Sequence, residues 1–297
     1  MSVFKHAPDS DRKKKHRKIE AERAKALKRL EELKKEKLSL QHDVFFVPGW
    51  TDEDATCWLE PYQTGYTTMN DWIKMVVLNP EKAHFITFSE TESKKCESFL
   101  DFAEILKKHI DDTIGLSTPI DLVGHSMGGL DIVAAITQEP NPLLNVKTCI
   151  TVATPHLGSD LGGLQFALNN VIERVPDYQA IQGKNLDPQE EPIIILNKLE
   201  TRKTLLNRIE KLYTFTGTRD TATFGVARLC ENDLDSTLYK EKVVDFHPID
   251  GACHSSECCL YVQGITQDCR TIVNILDILS GKELDIQQGN YGYIFRA

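Results

Sequence analysis

Residues 119–129 read Pro-Ile-Asp-Leu-Val-Gly-His-Ser-Met-Gly-Gly, an apolar run that passes into a glycine-rich segment. Within it, Gly124, Ser126 and Gly128 have the spacing of a nucleophile elbow, a sharp turn from a strand into a helix that presents a serine. A side chain at either glycine would clash across so tight a turn. Apolar residues precede the motif and continue after it at helical spacing. The segment therefore predicts a buried strand, a functional serine and a helix start, with a purely structural glycine turn as the alternative.

Strand and helix patterns alternate on both sides of this segment. Apolar runs predict strands at 43–47, 84–88, 146–153, 211–216 and 243–246. Apolar residues at helical spacing predict helices near 68–78, 99–110, 192–209 and 267–280. Such alternation is typical of an α/β fold whose mostly parallel sheet is covered by helices on both faces. A chain of 297 residues is long enough for one large domain of this class.

Residues from about 157 to 190 interrupt this alternation. They contain Gly162-Gly163, a short helical pattern at 164–174, and two prolines, Pro176 and Pro188. An insertion after the carboxyl end of a strand overhangs the edge where open α/β sheets bind ligands. We therefore predict a lid in this part of the chain.

Residues 1–40 form a predicted basic helical extension that precedes the domain at residues 41–297. The chain has a net charge of −9, which argues against general nucleic-acid binding, yet residues 11–37 carry 13 basic and 6 acidic side chains. A narrow apolar stripe runs along this segment: Ile19, Ala26, Leu30 and Leu33. One interpretation is a helix packed on the domain or on a partner. The other is an arm that binds an anionic membrane surface or an acidic partner, and whose removal would leave turnover of a small ester unchanged.

The sequence also bears on the cellular compartment. No run approaches the eighteen apolar residues of a membrane-spanning helix, and the N-terminus lacks the apolar segment of a secretory signal. The eight cysteines have no framework spacing, so reduced thiols are expected. We predict a cytoplasmic protein that can lie at the periphery of a membrane.

A serine hydroxyl becomes a good nucleophile when a base takes its proton and an acid orients that base. In the elbow fold these partners follow in the order serine, acid, histidine. Asp220 comes directly after the strand predicted at 211–216 and is the first candidate for the acid. Asp235, Asp245 and Asp250 are the reserve candidates.

The base is expected in the loop between the last predicted strand and the last predicted helix, where His254 lies. His247 comes directly before Pro248, a position that favours a structural role. His156 precedes every candidate acid and would break the chain order. His125, inside the elbow, is expected to pack beside the serine.

Acyl transfer also requires N–H groups aimed at the developing oxyanion. The elbow fold offers the backbone N–H of the residue after the nucleophile, which is Met127 here, and one from the loop after an early strand. Trp50, which follows Pro48-Gly49, has the matching position for the second donor.

These motifs together resemble the α/β-hydrolase superfamily over about residues 43–280. The elbow and the segment Thr154-Pro155-His156-Leu157-Gly158-Ser159 carry the resemblance most specifically. The Thr-Pro-His-x-Gly-Ser segment is similar to that of an intracellular serine-esterase and lipase branch that includes inositol-deacylase-like proteins. The resemblance implies a cofactor-free carboxylic-ester hydrolase that acts on small-molecule or lipid esters. The chain departs from the family pattern at Pro48-Gly49, where the family usually has His-Gly.

Other functions remain open at this point. The same three side chains serve thioesterases, peptidases and acyltransferases, because a triad does not choose the leaving group. A catalytically silent hydrolase fold that acts as a binding or scaffold protein is a further alternative. Cys253, His254, Cys258 and Cys259 include zinc-ligand residue types, but their spacing fits no common zinc site. No metal is therefore expected.

Overall fold

The computed structural model describes residues 9–61, 66–159, 176–220, 236–246, 248–254, 264–282 and 294–295. Its strands are β1 (Asp43–Val47), β2 (Ala83–Phe85), β3 (Ile120–His125), β4 (Val146–Val152), β5 (Lys211–Phe215), β6 (Val243–Phe246) and β7 (Ile294–Phe295). They form one sheet in the order β2-β1-β3-β4-β5-β6-β7. Strands β1 to β6 are parallel, and β7 pairs antiparallel with β6. The predicted α/β fold with a mostly parallel sheet is confirmed.

Helices cover both faces of the sheet. In the described part of the chain they are α1 (Asp9–Glu36), α2 (Thr56–Leu59), α3 (Met69–Val76), α4 (Glu90–Ser93), α5 (Phe99–Ile114), α6 (Met127–Thr137), α7 (Asp177–Lys184), α8 (Glu191–Asn197), α9 (Leu199–Arg208), α10 (Ser236–Lys242) and α11 (Cys269–Leu279). Successive strand residues point to opposite faces. Phe45 and Leu122 therefore join the core under α5, α6 and α9, whereas Phe46 and Val123 join the core under α1, α3 and α11.

The strand predicted at 84–88 is shorter than expected, because β2 ends at Phe85. Ile86 still donates its backbone N–H to the carbonyl of Phe46 at 2.9 Å. Phe88, however, donates to the carbonyl of Glu53 at 2.9 Å, in the loop after β1. After Ile86 the chain therefore leaves the sheet and pairs with the loop after β1.

The helix predicted at 192–209 is two helices, α8 and α9. Lys198 between them has an extended backbone, with φ −59° and ψ 138°. The Asn197 side chain donates to the carbonyl of His156 at 2.8 Å, which ties the end of α8 to the loop after β4. The short helix α10 before β6 was not predicted, and the helical pattern at 164–174 lies outside the described residues.

The N-terminal helix α1 packs on the domain along α3 and α11. Ala26, Leu30 and Leu33 are fully buried, whereas Leu27 on the outer side is 49% exposed. Arg29 forms an ion pair with Asp277 of α11 at 3.1 Å. These contacts favour the packed interpretation of the extension; its binding to an anionic surface stays a prediction. Nowhere in the described ranges is a helix both long and apolar enough to cross a membrane.

Candidate active site

Ser126 lies in the sharp turn between β3 and α6. Its backbone has φ 53° and ψ −126°, a conformation that non-glycine residues rarely adopt and that is common at functional sites. A Cβ at Gly124 would lie 2.6 Å from the Gly129 nitrogen, and one at Gly128 would lie 2.1 Å from the Pro48 carbonyl oxygen. The glycine spacing is therefore a steric requirement of the turn. Ser126 is the N-cap of α6 but makes no side-chain capping bond.

The three side chains chosen from the sequence lie in a hydrogen-bonded row. His254 Nε2 is 2.8 Å from Ser126 Oγ, and His254 Nδ1 is 3.1 Å from Asp220 Oδ2. The Asp220 carboxylate is completely buried, and 16% of the His254 side chain is exposed. A proton on Nδ1 directed at the carboxylate leaves Nε2 free to accept the proton of the serine hydroxyl.

Backbone contacts hold the loop that carries Asp220 against the loop that carries His254. The Arg219 N–H donates to the Ala252 carbonyl at 3.0 Å, and the Gly251 N–H donates to Thr218 Oγ1 at 2.9 Å. A Cβ at Gly217 would lie 2.3 Å from the Ala252 carbonyl oxygen, so only glycine permits this approach. The relative position of the two side chains is therefore set mainly by the backbone.

A buried guanidinium supports the histidine loop from behind. Arg270 of α11 donates to the Asp250 carbonyl at 2.8 Å and pairs with Asp268 at 2.7 Å. It also forms an ion pair with Glu22 of α1 at 3.3 Å. The sequence does not reveal this contact, because nothing in the local pattern of α11 links Arg270 to a loop twenty residues earlier.

The two reserve acids that the structure describes have partners outside the candidate site. Asp245 accepts hydrogen bonds from the hydroxyls of Thr214 and Tyr239, the latter at 2.9 Å. Asp250 forms an ion pair with Lys15 of α1 at 3.4 Å. Asp235 lies outside the described residues.

The two other candidate histidines that the structure describes, His125 and His156, have hydrogen-bond partners other than the serine hydroxyl. His156 is buried with Nε2 3.0 Å from Thr151 Oγ1, and burial lowers its pKa to about 4. His247 lies outside the described residues. His125 packs beside His254, with ring centroids 5.0 Å apart, and its Nε2 is 3.0 Å from the His254 carbonyl oxygen.

His125 has a supporting role that the sequence did not reveal. Burial, and secondarily the neighbouring His254, lower the pKa of His125 to about 4, so the ring is neutral near pH 7. A neutral ring with its proton on Nε2 donates to the His254 carbonyl. His125 thereby holds the backbone of the candidate base.

The loop that carries the predicted oxyanion donor Trp50 passes directly beside the serine. A Cβ at Gly49 would lie 2.8 Å from Ser126 Cβ. The Trp50 indole N–H donates to the Gln179 carbonyl at 2.8 Å, so the side chain is used to hold α7. Met127 is the first residue of α6, where a backbone N–H has no acceptor within the helix. The assignment of both N–H groups to an oxyanion hole stays a prediction.

The described end of the predicted lid packs over this loop. Residues 176–190 include α7, whose Gly183 lies against the Trp50 ring. Gln182 of α7 donates to the carbonyls of Ser93 and Cys96 at 3.0 and 3.1 Å. Residues 160–175 lie outside the described part of the chain.

The zinc alternative at Cys253 and His254 involves residues that are only partly described. Both ring nitrogens of His254 already have hydrogen-bond partners. In the ranges that the structure describes, no group of three or more metal-ligating side chains is arranged around a common point. Cys258 and Cys259 lie outside these ranges.

A buried carboxyl lies on the elbow helix close to the candidate site. Asp131 of α6 is 0% exposed, and among the described residues neither of its carboxyl oxygens has a hydrogen-bond partner. Burial raises the pKa of Asp131 well above its usual value. The carboxyl is therefore neutral at pH values where an exposed aspartate is ionised.

We predict that Asp131 makes the folded state less stable as the pH rises. Below pH about 3.9, the pKa of an unfolded-state aspartate, the Asp131 carboxyl is neutral in both states and costs no stability. Above this pH it ionises in the unfolded state only, so the unfolding free energy falls by about 1.4 kcal/mol per pH unit until the pH reaches the raised pKa of the folded state. Asp131→Asn, which stays neutral, should gain unfolding free energy relative to the wild type as the pH is raised above about 4. Urea unfolding at several pH values measures this difference, with the exposed Asp112→Asn as a control. A difference that does not change with pH would contradict it.

Comparison with known families gives one match that covers more than half of the chain. The family model described as "PGAP1-like alpha/beta domain" matches residues 65–223 of the 297 residues. This range contains Ser126 and Asp220, whereas Trp50, His254 and α1 lie outside it. No curated protein matches the chain significantly.

Three solved structures are similar to this chain at low sequence identity. Lipase BlEst2 of Bacillus licheniformis in its propeptide form is 18% identical with a TM-score of 0.41, over 61% of this chain and 37% of that chain. Phospholipase PlaB of Legionella pneumophila in complex with thio-NAD is 16% identical with a TM-score of 0.42, over 59% and 38%. Alpha/beta hydrolase domain-containing protein 10 from mouse is 16% identical with a TM-score of 0.40, over 80% and 89%. The chain thus matches well under half the length of the first two proteins.

Proposed function

The chain belongs to the PGAP1-like alpha/beta domain family of the α/β-hydrolase superfamily, and from this premise we propose that it is a serine hydrolase that cleaves carboxylic esters. The observation that carries the proposal is the 2.8 Å distance between Ser126 Oγ and His254 Nε2. The buried carboxylate of Asp220, 3.1 Å from the other ring nitrogen, supports it further. Serine, histidine and aspartate in such a row are the groups that acyl transfer needs.

In the proposed reaction, His254 takes the hydroxyl proton of Ser126 as Oγ attacks the ester carbonyl carbon. The negative charge that develops on the carbonyl oxygen is stabilised by the N–H groups of Met127 and Trp50. The C–O bond to the alcohol breaks, and His254 gives the proton to the leaving alcohol. A water molecule then attacks the acyl-enzyme in the same way and releases the acid. Asp220 holds the ring and stabilises its charged form.

We further propose lipid esters as substrates and an anionic membrane surface as a partner. Lys13, Lys14, Arg17 and Lys25 are exposed on α1, on the side of the helix away from the stripe buried on the domain. Each basic residue near an anionic surface contributes about 1 kcal/mol. Binding through this side of α1 leaves the packed side undisturbed.

We propose a cytoplasmic location on the evidence of the thiols. In the described ranges, Cys57, Cys96, Cys149 and Cys269 are buried thiols that form no disulfide. Free thiols fit a reducing compartment, where disulfides rarely persist. After cell lysis, we expect the protein in the cytoplasmic fraction, or bound to the membrane fraction at low salt only.

Labelling with a fluorophosphonate probe tests the proposed function. We expect the wild type to be labelled at Ser126 and the Ser126→Ala variant not to be labelled. A catalytically silent scaffold would leave both proteins unlabelled, which would contradict the proposal. A panel of esters, thioesters and amides of graded acyl length then distinguishes an esterase from the other hydrolases that use these residues.

A further inference from the structure

A cleft of about 400 Å³ opens between α1 and the loops that carry the proposed acid and base. Its lining residues are Lys15, His16, Ile19, Thr218, Arg219 and Gly251. None of them belongs to the row formed by the serine, the histidine and the aspartate. The cleft is therefore a separate feature, and the reaction proposed above does not explain it.

The cleft lies directly beside the proposed catalytic loops. Arg219 is the residue before Asp220, and Gly251 comes three residues before His254. The Gly251 N–H donates to Thr218 Oγ1 at 2.9 Å, and both residues line the cleft, so the two loops meet beside it. A group bound there contacts the same loops that position the acid and the base.

Positive charge dominates the walls of this cleft. Lys15 and His16 line it from α1, and Arg219 lines it from the loop that carries the proposed acid. In the described part of the chain, the one carboxylate paired with these residues is Asp250, which lies 3.4 Å from Lys15. Among the described residues, Arg219 and His16 form no ion pair, and both are exposed. The cleft thus has basic groups available for an added anion, in a protein whose net charge is −9.

The chemistry of these walls points to phosphate. A guanidinium binds a phosphate through two parallel hydrogen bonds, and ammonium and imidazole groups donate to the remaining oxygens. Among the described lining residues, Ile19 is the only one with a large apolar side chain. We propose that this cleft binds a phosphate group of the ester substrate, on the side of the proposed catalytic loops next to α1. The inference rests on the proposed ester hydrolysis and adds the chemical class of the substrate.

A binding experiment tests the site without reference to turnover. Full-length Ser126→Ala protein is titrated with inorganic phosphate and with glycerol 3-phosphate by calorimetry at low salt. Arg219→Gln and His16→Gln should each weaken binding about 5- to 10-fold, as expected for a charged hydrogen bond at a partly exposed site. Lys74→Gln, which removes an exposed lysine from α3, should bind like its parent. Equal binding by all variants, or no measurable binding, would overturn the proposal.

A turnover experiment then separates a substrate phosphate from a membrane phosphate. Two monomeric dibutyryl esters are compared below the concentrations at which they aggregate, one with a phosphate head group and one neutral. In Arg219→Gln and His16→Gln, the ratio of kcat/KM for the phosphate ester to that for the neutral ester should fall about 5- to 10-fold. A ratio that changes only when the ester is presented in anionic vesicles would assign these residues to the membrane surface and overturn the proposal. A wild type that hydrolyses neither ester would instead contradict the proposed function. The binding experiment would still show whether the cleft binds phosphate.

Discussion

Replacement of Ser126 by alanine is expected to lower kcat/KM for ester hydrolysis by at least about 10⁴-fold, because no other group can take the place of its Oγ as nucleophile. The folded structure should tolerate the change. Ser126 makes no side-chain capping bond to α6, and its hydroxyl contacts only the candidate base among the hydrogen bonds described. Steady-state kinetics measures the loss of activity, and an unchanged thermal unfolding midpoint shows that the variant is folded.

The acid and the base are tested in the same assay. Asp220→Asn should lower kcat/KM by several orders of magnitude, since the ring of His254 loses the acceptor that fixes its tautomer. His254→Ala should lower kcat/KM as much as Ser126→Ala does, because such residues act as a unit. Asp250→Asn is the matched control, since its carboxylate is directed at Lys15. An active Asp220→Asn protein with an inactive Asp250→Asn protein would show that the wrong acid has been chosen.

Truncation of a buried leucine on the N-terminal helix is expected to have the largest effect on stability. Leu30 is fully buried between α1 and the domain, and its replacement by alanine removes contacts and leaves a cavity. Leu30→Ala should cost about 2–5 kcal/mol of unfolding free energy. Leu27→Ala is the matched control on the same helix, because Leu27 is 49% exposed; it should change stability by less than about 0.5 kcal/mol.

Deletion of residues 1–36 extends this test to the whole helix. The sequence leaves two interpretations open: a helix packed on the domain, and an arm whose loss would leave turnover of a small ester unchanged. The contacts of Leu30 and Leu33 now lead us to expect a protein that unfolds at a much lower temperature. The ion pair between Arg270 and Glu22 would also be lost behind the histidine loop, so turnover should fall as well. A truncated protein with normal thermal stability and normal turnover would contradict this expectation and support the arm interpretation.

The parallel part of the sheet was predictable because strands β1 to β6 have strong local signals, whereas the short antiparallel strand β7 was not predicted. Phe45 and Phe46 are in adjacent positions of an apolar run, and the structure buries them in the two opposite cores. Continuous apolar runs of this kind are typical of strands covered on both faces. The single helix predicted at 192–209 is broken into α8 and α9. A tertiary contact accompanies this break: the Asn197 side chain donates to the His156 carbonyl, which the apolar spacing does not show.

The candidate site was predictable only in its chain order. The glycine spacing around Ser126 is a local steric requirement, and the structure brings Asp220 and His254 to the serine as that order implies. Their catalytic roles remain predictions, which the variants described above test. The supports behind them join distant parts of the chain: the His125 ring to the His254 carbonyl and Arg270 to the Asp250 carbonyl. Single residues at such separations leave no periodic pattern in the sequence.

The packing of α1 on α11 also sets the order in which the protein can be completed during synthesis. Arg29 and Asp277, which pair across these two helices, are 248 residues apart. At translation rates of about 5–20 residues per second, roughly 12 to 50 seconds pass before the partner of the first helix leaves the ribosome. Through that interval the part of the apolar stripe of α1 that packs on α11 lacks its native surface, although α3 has already been synthesised, and this part is available to chaperones or to other nascent chains. The histidine loop acquires its support from Arg270 and Glu22 only after α11 has been synthesised, so the candidate site gains this support only once α1 and α11 have met.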